Sequence, residues 1–254
     1  MKRIFAIALI AASFGVGFAH AHHPWVLAES ARVEPGQAVQ VLPYFGHAFP
    51  GDETMESDRL AEATVTPPDG QPIALDLSDH GALATPSLSE PGVYVIGVRQ
   101  ARGYWTQTTE GGQRLPRPEV ANAVRCSYSD NGSKTLVAVG DEGPSGAVTA
   151  LGHRLEIIPQ RDPTALAAGD RLPVQVLFEG QPHAGPLLAF HGASGEDPYA
   201  VLETNADGLA EVELEEAGPW LLLAQGEIDY PDPAVCDVES FYASLTFDLP
   251  NNHQ

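Results

Sequence analysis

The sequence of 254 residues predicts an all-β protein: a signal peptide at 1–21, then two tandem immunoglobulin-like or transthyretin-like β-sandwich domains, one over 22–160 and one over 161–254. Three observations predict it. With 25 Gly and 22 Pro, the chain is interrupted too often for long helices. Hydrophobic residues make up 43% of the composition, too many for a disordered polymer, and Val, Leu and Ile recur in short alternating runs. The order of turns and strands also repeats once along the chain.

The elements follow in order. Lys2 and Arg3, an uncharged, largely apolar run over 4–18, and the Ala-x-Ala site Ala19-His20-Ala21 have the pattern of a secretory signal. Cleavage after Ala21 makes His22 the first mature residue. No later segment approaches the ~20 apolar residues that a membrane span needs, so a soluble exported chain, periplasmic in a Gram-negative source, is expected. Val33-Glu34-Pro35-Gly36-Gln37-Ala38-Val39-Gln40 opens the first unit as a Gly-centred turn feeding a strand. Leu166-Ala167-Ala168-Gly169-Asp170-Arg171-Leu172-Pro173 opens the second in the same way. The turn Pro67-Pro68-Asp69-Gly70 is echoed by Asn205-Ala206-Asp207-Gly208. Pro91-Gly92-Val93-Tyr94-Val95-Ile96 is echoed by Ala217-Gly218-Pro219-Trp220-Leu221-Leu222, each a turn leading into a strand with an aromatic residue. The first unit also carries an insertion over 101–124 that is long for a loop and therefore expected to be functional or disordered. Segments 133–140 and 155–158 are expected to close the first domain, with the boundary at 159–163.

Charge narrows the partners. Thirteen basic and 34 acidic residues give a net charge of −21, which argues against nucleic acid and anionic membrane surfaces. Met1 and Met55 are the only methionines, so a Met-rich Cu(I) surface is not expected. Two cysteines, Cys126 and Cys236, in an oxidising compartment predict a disulfide, the alternative being two buried thiols. Alternating Glu211, Glu213, Glu215 and Glu216 read as the solvated face of a strand, and Tyr104 and Trp105 as core.

The candidate chemistry is metal ligation. A terminal His22 offers an imidazole nitrogen and an α-amine that titrates near neutrality, so one residue supplies a chelate. A third nitrogen from a distant His completes a set suited to Cu(II) or Ni(II). His47, in Phe45-Gly46-His47-Ala48-Phe49-Pro50-Gly51, is the first candidate for that partner. His23 and His153 are further candidate ligands. His80, His183, His191 and His253 are expected to be exposed and uninvolved. The sequence has no Gly-x-Ser-x-Gly elbow, phosphate loop, His-Glu-x-x-His helix or dinucleotide fingerprint, so binding rather than catalysis is expected.

The ordered set His22-His23-Pro24-Trp25, Phe45-Gly46-His47-Ala48-Phe49-Pro50-Gly51, Gly103-Tyr104-Trp105-Thr106, Gly152-His153-Arg154-Leu155-Glu156 and Tyr242-Ala243-Ser244-Leu245 resembles a family of exported bacterial proteins described as periplasmic components of nickel or cobalt uptake systems. The resemblance implies a Ni(II)- or Co(II)-binding accessory protein, with membrane subunits of a metal transporter as its partner. Members commonly start with an Ala-His-Asp-Phe-Trp-like segment. His22 and Trp25 fit that pattern; His23 and Pro24 depart from it, which leaves the role of the second residue open. Two other readings stand beside this one: a copper oxidoreductase that uses the terminal His as a brace, and a structural or adhesive module.

Overall fold

The computed structural model describes residues 22–77, 82–192 and 194–251. The expected signal segment, His80 and His253 lie outside them. The first half contains β1 (His23–Ala28), β2 (Arg32–Val33), β3 (Gln40–Gly46), β4 (Leu60–Thr66), β5 (Ile73–Ala74), β6 (Leu83–Ala84) and β7 (Gly92–Gln100). β8 (Gly103–Thr108), β9 (Gly111–Gln113), β10 (Ala123–Ser129) and β11 (Gly132–Val139) follow. The second half contains β12 (Leu155–Pro159), β13 (Asp170–Phe178), β14 (Gln181–Pro182), β15 (Pro186–His191), β16 (Ala200–Glu203), β17 (Leu209–Leu214), β18 (Gly218–Asp229) and β19 (Val238–Leu249). The helices among the described residues are single 3-10 turns, and none is long and apolar enough to cross a membrane.

The all-β sandwich class expected from the sequence is what the chain forms. Its repeat is physical: Gly36 and Gly169, at matching positions of the two opening turns, have φ of +92° and +94°, values that a side chain would strain.

The arrangement of the two halves departs from the expectation. One twelve-stranded sheet runs through both, in the order β16-β15-β18-β19-β11-β7-β4-β5, with β2, β8, β9 and β10 attached. The join is β19. It pairs antiparallel with β18 along its whole length, and parallel with β10 and then β11 on its other edge. The small sheet β1-β3-β6 covers one face of this central sheet, and the sheet of β12, β13, β14 and β17 covers the other. Alternation along the central strands shows both faces buried. Leu136 and Ala138 of β11 and Trp220, Leu222 and Ala224 of β18 join the core under β12–β13. Val137 and Val139 face β1 and β3, and Leu221 and Leu223 pack with Trp25 and Phe49. Strands buried on both faces have continuous apolar runs, which is why Trp220-Leu221-Leu222-Leu223-Ala224 lacks polar alternation. The boundary expected near 159–163 therefore does not separate two closed domains: 155–158, expected to finish the first, lies in β12, which pairs with β13 in the second layer.

The insertion at 101–124 is also ordered. β8 and β9 form a hairpin, and β10 pairs with β8 on one side and β19 on the other. The expected disulfide is present: Cys126 in β10 is bonded to Cys236, 110 positions later, in the segment between β18 and β19. Arg117 ion-pairs with Asp237, whose carboxylate also accepts the Cys126 N–H at 2.7 Å.

Candidate metal centre at the His22–His47 pair

The geometry of the candidate site starts from strand register. β1 and β3 pair antiparallel, and the last pair of the ladder is His23 with Gly46. His22 and His47 lie one step further, facing each other, so their side chains leave the same face of the ribbon. Their ring centroids are 4.1 Å apart. The diagonal neighbour Phe45 stacks with His22 at 5.4 Å and an interplanar angle of 20°. His22 is exposed and His47 is half-buried.

A tight turn fixes His47. The Asp52 carboxylate accepts the His47 N–H at 2.7 Å, the Ala48 N–H at 2.9 Å and the Glu53 N–H at 2.8 Å. These donors, the Ala48 N–H foremost, hold the Asp52 carboxyl below its ordinary value. Gly46 makes room for it: a Cβ there would lie 2.2 Å from Asp52 Cγ. The far side of the turn is anchored to both halves. The buried Phe49 donates its N–H to the Gly195 carbonyl at 3.1 Å, and the Trp25 indole donates to the Pro50 carbonyl at 3.2 Å.

The other expected ligands sit elsewhere. Strand alternation puts His23 on the opposite side of β1, where it is buried with ring centroids 5.4 Å from Trp25 and 5.6 Å from Phe190. His153 lies before β12, in a hollow left by two glycines. A Cβ on Gly132 would come within 2.4 Å of its Nδ1, and one on Gly97 within 3.5 Å of its Nε2. Among the described residues no three His, Cys, Asp or Glu side chains gather to hold a metal ion, so the side chains brought together are the two imidazoles of His22 and His47.

The hollow gives His153 a measurable consequence. Burial pulls its imidazole down to about 4, against the weaker upward pull of Glu156. The unfolded ring titrates at about 6.5, so unfolding takes up a proton below that pH. The stability contributed by the neutral ring is complete above pH ~6.5 and is lost as the pH falls toward about 4. Between pH 7 and pH 5 the loss is about 2 kcal/mol. Urea unfolding of wild type and His153→Gln at both pH values checks it: the variant should lose about that much less on acidification. Equal losses in the two proteins would remove the proton-linked role.

Several residues differ from their sequence reading. His191, expected at the surface, is buried, with Nε2 at 2.9 Å from the Ala217 carbonyl oxygen and its ring 5.1 Å from Trp220. Trp105, expected in the core, is 46% exposed and packs against Gly112, where a Cβ would come within 2.1 Å of its ring. Tyr104 joins Tyr128 and Tyr230 in a half-buried cluster, with its hydroxyl 2.8 Å from that of Tyr230. The glutamates at 211, 213, 215 and 216 are exposed while Val212 and Leu214 are fully buried, as the alternation implied. Sequence reasoning missed Asp52 and Arg59. A signal for Asp52 existed, since a short acid after Gly-His in a Gly/Pro-rich turn is a turn-capping pattern. Arg59 had none, because its guanidinium reaches the site only through the packing of the 3-10 turn Ser57–Arg59 against β3.

Among solved structures, the chain resembles the D0–D1 domains of intimin (12% identity, 89% of this chain and 97% of that one, TM-score 0.22). It also resembles murine CEACAM1b (10%, 90% and 99%, TM-score 0.22). Fibronectin(III)-like modules of Clostridium thermocellum CbhA are similar at 8% identity, over 87% and 93% of the two chains, with a TM-score of 0.21. Likenesses this slight say nothing about function. A search of curated protein sequences finds no match. A family model described as a domain of unknown function, DUF4198, matches residues 19–228, spanning β1 through most of β18 and including the His22–His47 turn; the chain belongs to the DUF4198 family.

Proposed function

We propose that the protein is a binding protein for a divalent transition metal, Ni(II) or Co(II) in preference to Cu(II), acting in the periplasm as an accessory to the membrane subunits of a metal-uptake transporter. The observation that carries this reading is the His22–His47 pair, with ring centroids 4.1 Å apart beside a turn anchored at several points. Removal of 1–21 gives His22 a free α-amine next to its imidazole, so the processed chain offers three nitrogens where the precursor offers two. A binding protein needs such a preformed site at an accessible edge, and His22 is exposed. The transporter role rests on the resemblance of the sequence to nickel- and cobalt-uptake components.

The test is one added residue. Extending the processed chain by a single Ala before His22 turns the amine into an amide, a poor ligand near neutral pH. The extension should weaken nickel and cobalt binding as much as His22→Ala does, by at least tenfold in calorimetric titrations of protein whose terminus has been verified by mass spectrometry. Unchanged affinity in the extended chain would end the terminal-chelate reading. The same nitrogens suit Cu(II), which outranks nickel at most sites of this kind, so tighter copper binding alone decides nothing. Oxygen consumption by the copper-loaded protein with ascorbate would replace the carrier reading with the oxidoreductase one.

A further inference from the structure

We infer that the cargo of this site is a metal ion already held by a small polycarboxylate chelator, and that Arg59 binds a free carboxylate of that chelator. The inference rests on the metal-binding reading above and names the chemical class of its cargo.

The geometry is a chain of contacts. The Arg59 guanidinium carbon lies 4.3 Å from the centroid of the Phe45 ring. That ring stacks with His22, and His22 faces His47. A fixed positive charge therefore stands one aromatic ring away from the imidazole pair. The Arg59 backbone is anchored, its carbonyl accepting the Ala101 N–H at 2.7 Å, and the guanidinium itself rests on the Phe45 ring.

Arg59 differs from most cations of this chain. With 34 acidic and 13 basic residues, an acidic partner is easily found, and Arg99, Arg102, Arg117, Arg125, Arg154 and Arg171 each ion-pair with one. Among the described residues, Arg32, Arg59, Arg114 and Arg161 have no carboxylate within ion-pair distance, and of these Arg59 is the one stacked on the ring beside the imidazole pair. Burial, and after it the nearby Arg114 charge, lower the Arg59 guanidinium below its ordinary value; its chain neighbour Asp58 offsets this in part. A half-buried cation next to another cation, in a strongly acidic protein, is poised for an anion.

The same charge repels a bare divalent ion. It attracts a complex that is negative overall, because a metal-bound polycarboxylate keeps a carboxylate free for a two-point contact with a guanidinium. Three protein nitrogens leave coordination positions that the chelator's oxygens can keep, so the ion need not be stripped before it binds.

Equilibrium dialysis with radiolabelled citrate as the probe tests this, using processed protein in a non-coordinating buffer with and without nickel, beside a titration with nickel alone. Wild type should retain about one citrate per bound nickel, and at least tenfold less without nickel. Arg59→Gln should lower the ratio of nickel–citrate affinity to bare-nickel affinity on the order of tenfold. Arg59→Lys, which keeps the charge and guards against a folding defect in the first variant, should recover part of that ratio. If nickel binds while citrate stays behind, or if Arg59→Gln leaves the ratio unchanged, the inference is overturned and the metal reading stands. If nickel is bound in neither form, the metal reading falls and this inference falls with it.

Discussion

Replacing Cys126 and Cys236 together by serine is expected to lower the unfolding free energy by about 4 kcal/mol. The bond closes a loop across a sequence separation of 110, and chain-entropy models assign roughly 4–5 kcal/mol to a loop of that length. Both cysteines are fully buried, so the serine hydroxyls also enter apolar surroundings. The loss should concentrate where the bond acts. β10 is held to β19 by only three paired positions, Ser127–Val238, Tyr128–Glu239 and Ser129–Ser240, and β8 and β9 hang from β10. Urea unfolding gives the magnitude. Amide hydrogen exchange should show β8–β10 losing protection before β7 and β18. A destabilisation below about 1 kcal/mol, or uniform loss of protection, would show that the ribbon holds without the bond.

Glu156→Gln is expected to cost about 3 kcal/mol, because it leaves a cation buried without its counter-charge. Lys134 in β11 is 1% exposed, and its ammonium donates to Glu156 Oε1 at 2.9 Å. The same oxygen accepts the Leu151 N–H at 2.7 Å, and the other accepts the Gly152 N–H at 2.9 Å. Burial by itself would raise the Glu156 carboxyl; the Lys134 charge and these donors outweigh it and hold it below its ordinary value. Burial lowers the Lys134 ammonium, against the pull of Glu156. The pair spans two layers, since β11 belongs to the central sheet and β12 to the sheet covering it. Changing both residues, Lys134→Met with Glu156→Gln, removes both charges, keeps an amide oxygen to accept from the Leu151–Gly152 backbone, and should cost less than the single change. Chemical denaturation of the single and double variants decides it: a double variant as unstable as the sum of its parts would show that the charges are not coupled.

What the sequence revealed follows from the range of the interactions involved. Turn chemistry is local, so Gly36 and Gly169 announced the repeated opening turns before any fold was known. The disulfide followed from having two cysteines and no alternative partner. The pairing of His22 with His47 needed only the register of one hairpin-like ribbon; His22 stood out as the expected first mature residue, and His47 as a polar group between aromatic and Gly/Pro neighbours. The parallel pairing of Gly132–Thr135 with Ala243–Thr246 has no local signature, because parallel neighbours need not be close in sequence. The unbroken apolar run at 220–224 carried part of that information: a strand with one wet face would have alternated. The burial of His153 depended on the absence of side chains at Gly97 and Gly132, which one-dimensional patterning does not connect.

The place of β19 also sets an order of events. A ribosome releases the chain from its N-terminus, so β7 and β11 emerge long before residues 238–249 exist. Until those residues arrive, the Gly132–Thr135 edge of β11 presents unpaired N–H and C=O groups beside apolar side chains, a template for pairing with another nascent copy. The contacts that finish the sheet join positions more than a hundred residues apart, and such high contact order makes the final zipping slow. A chain of this topology completes its central sheet only when its last strand arrives, whereas two independent sandwiches could each close on their own strands.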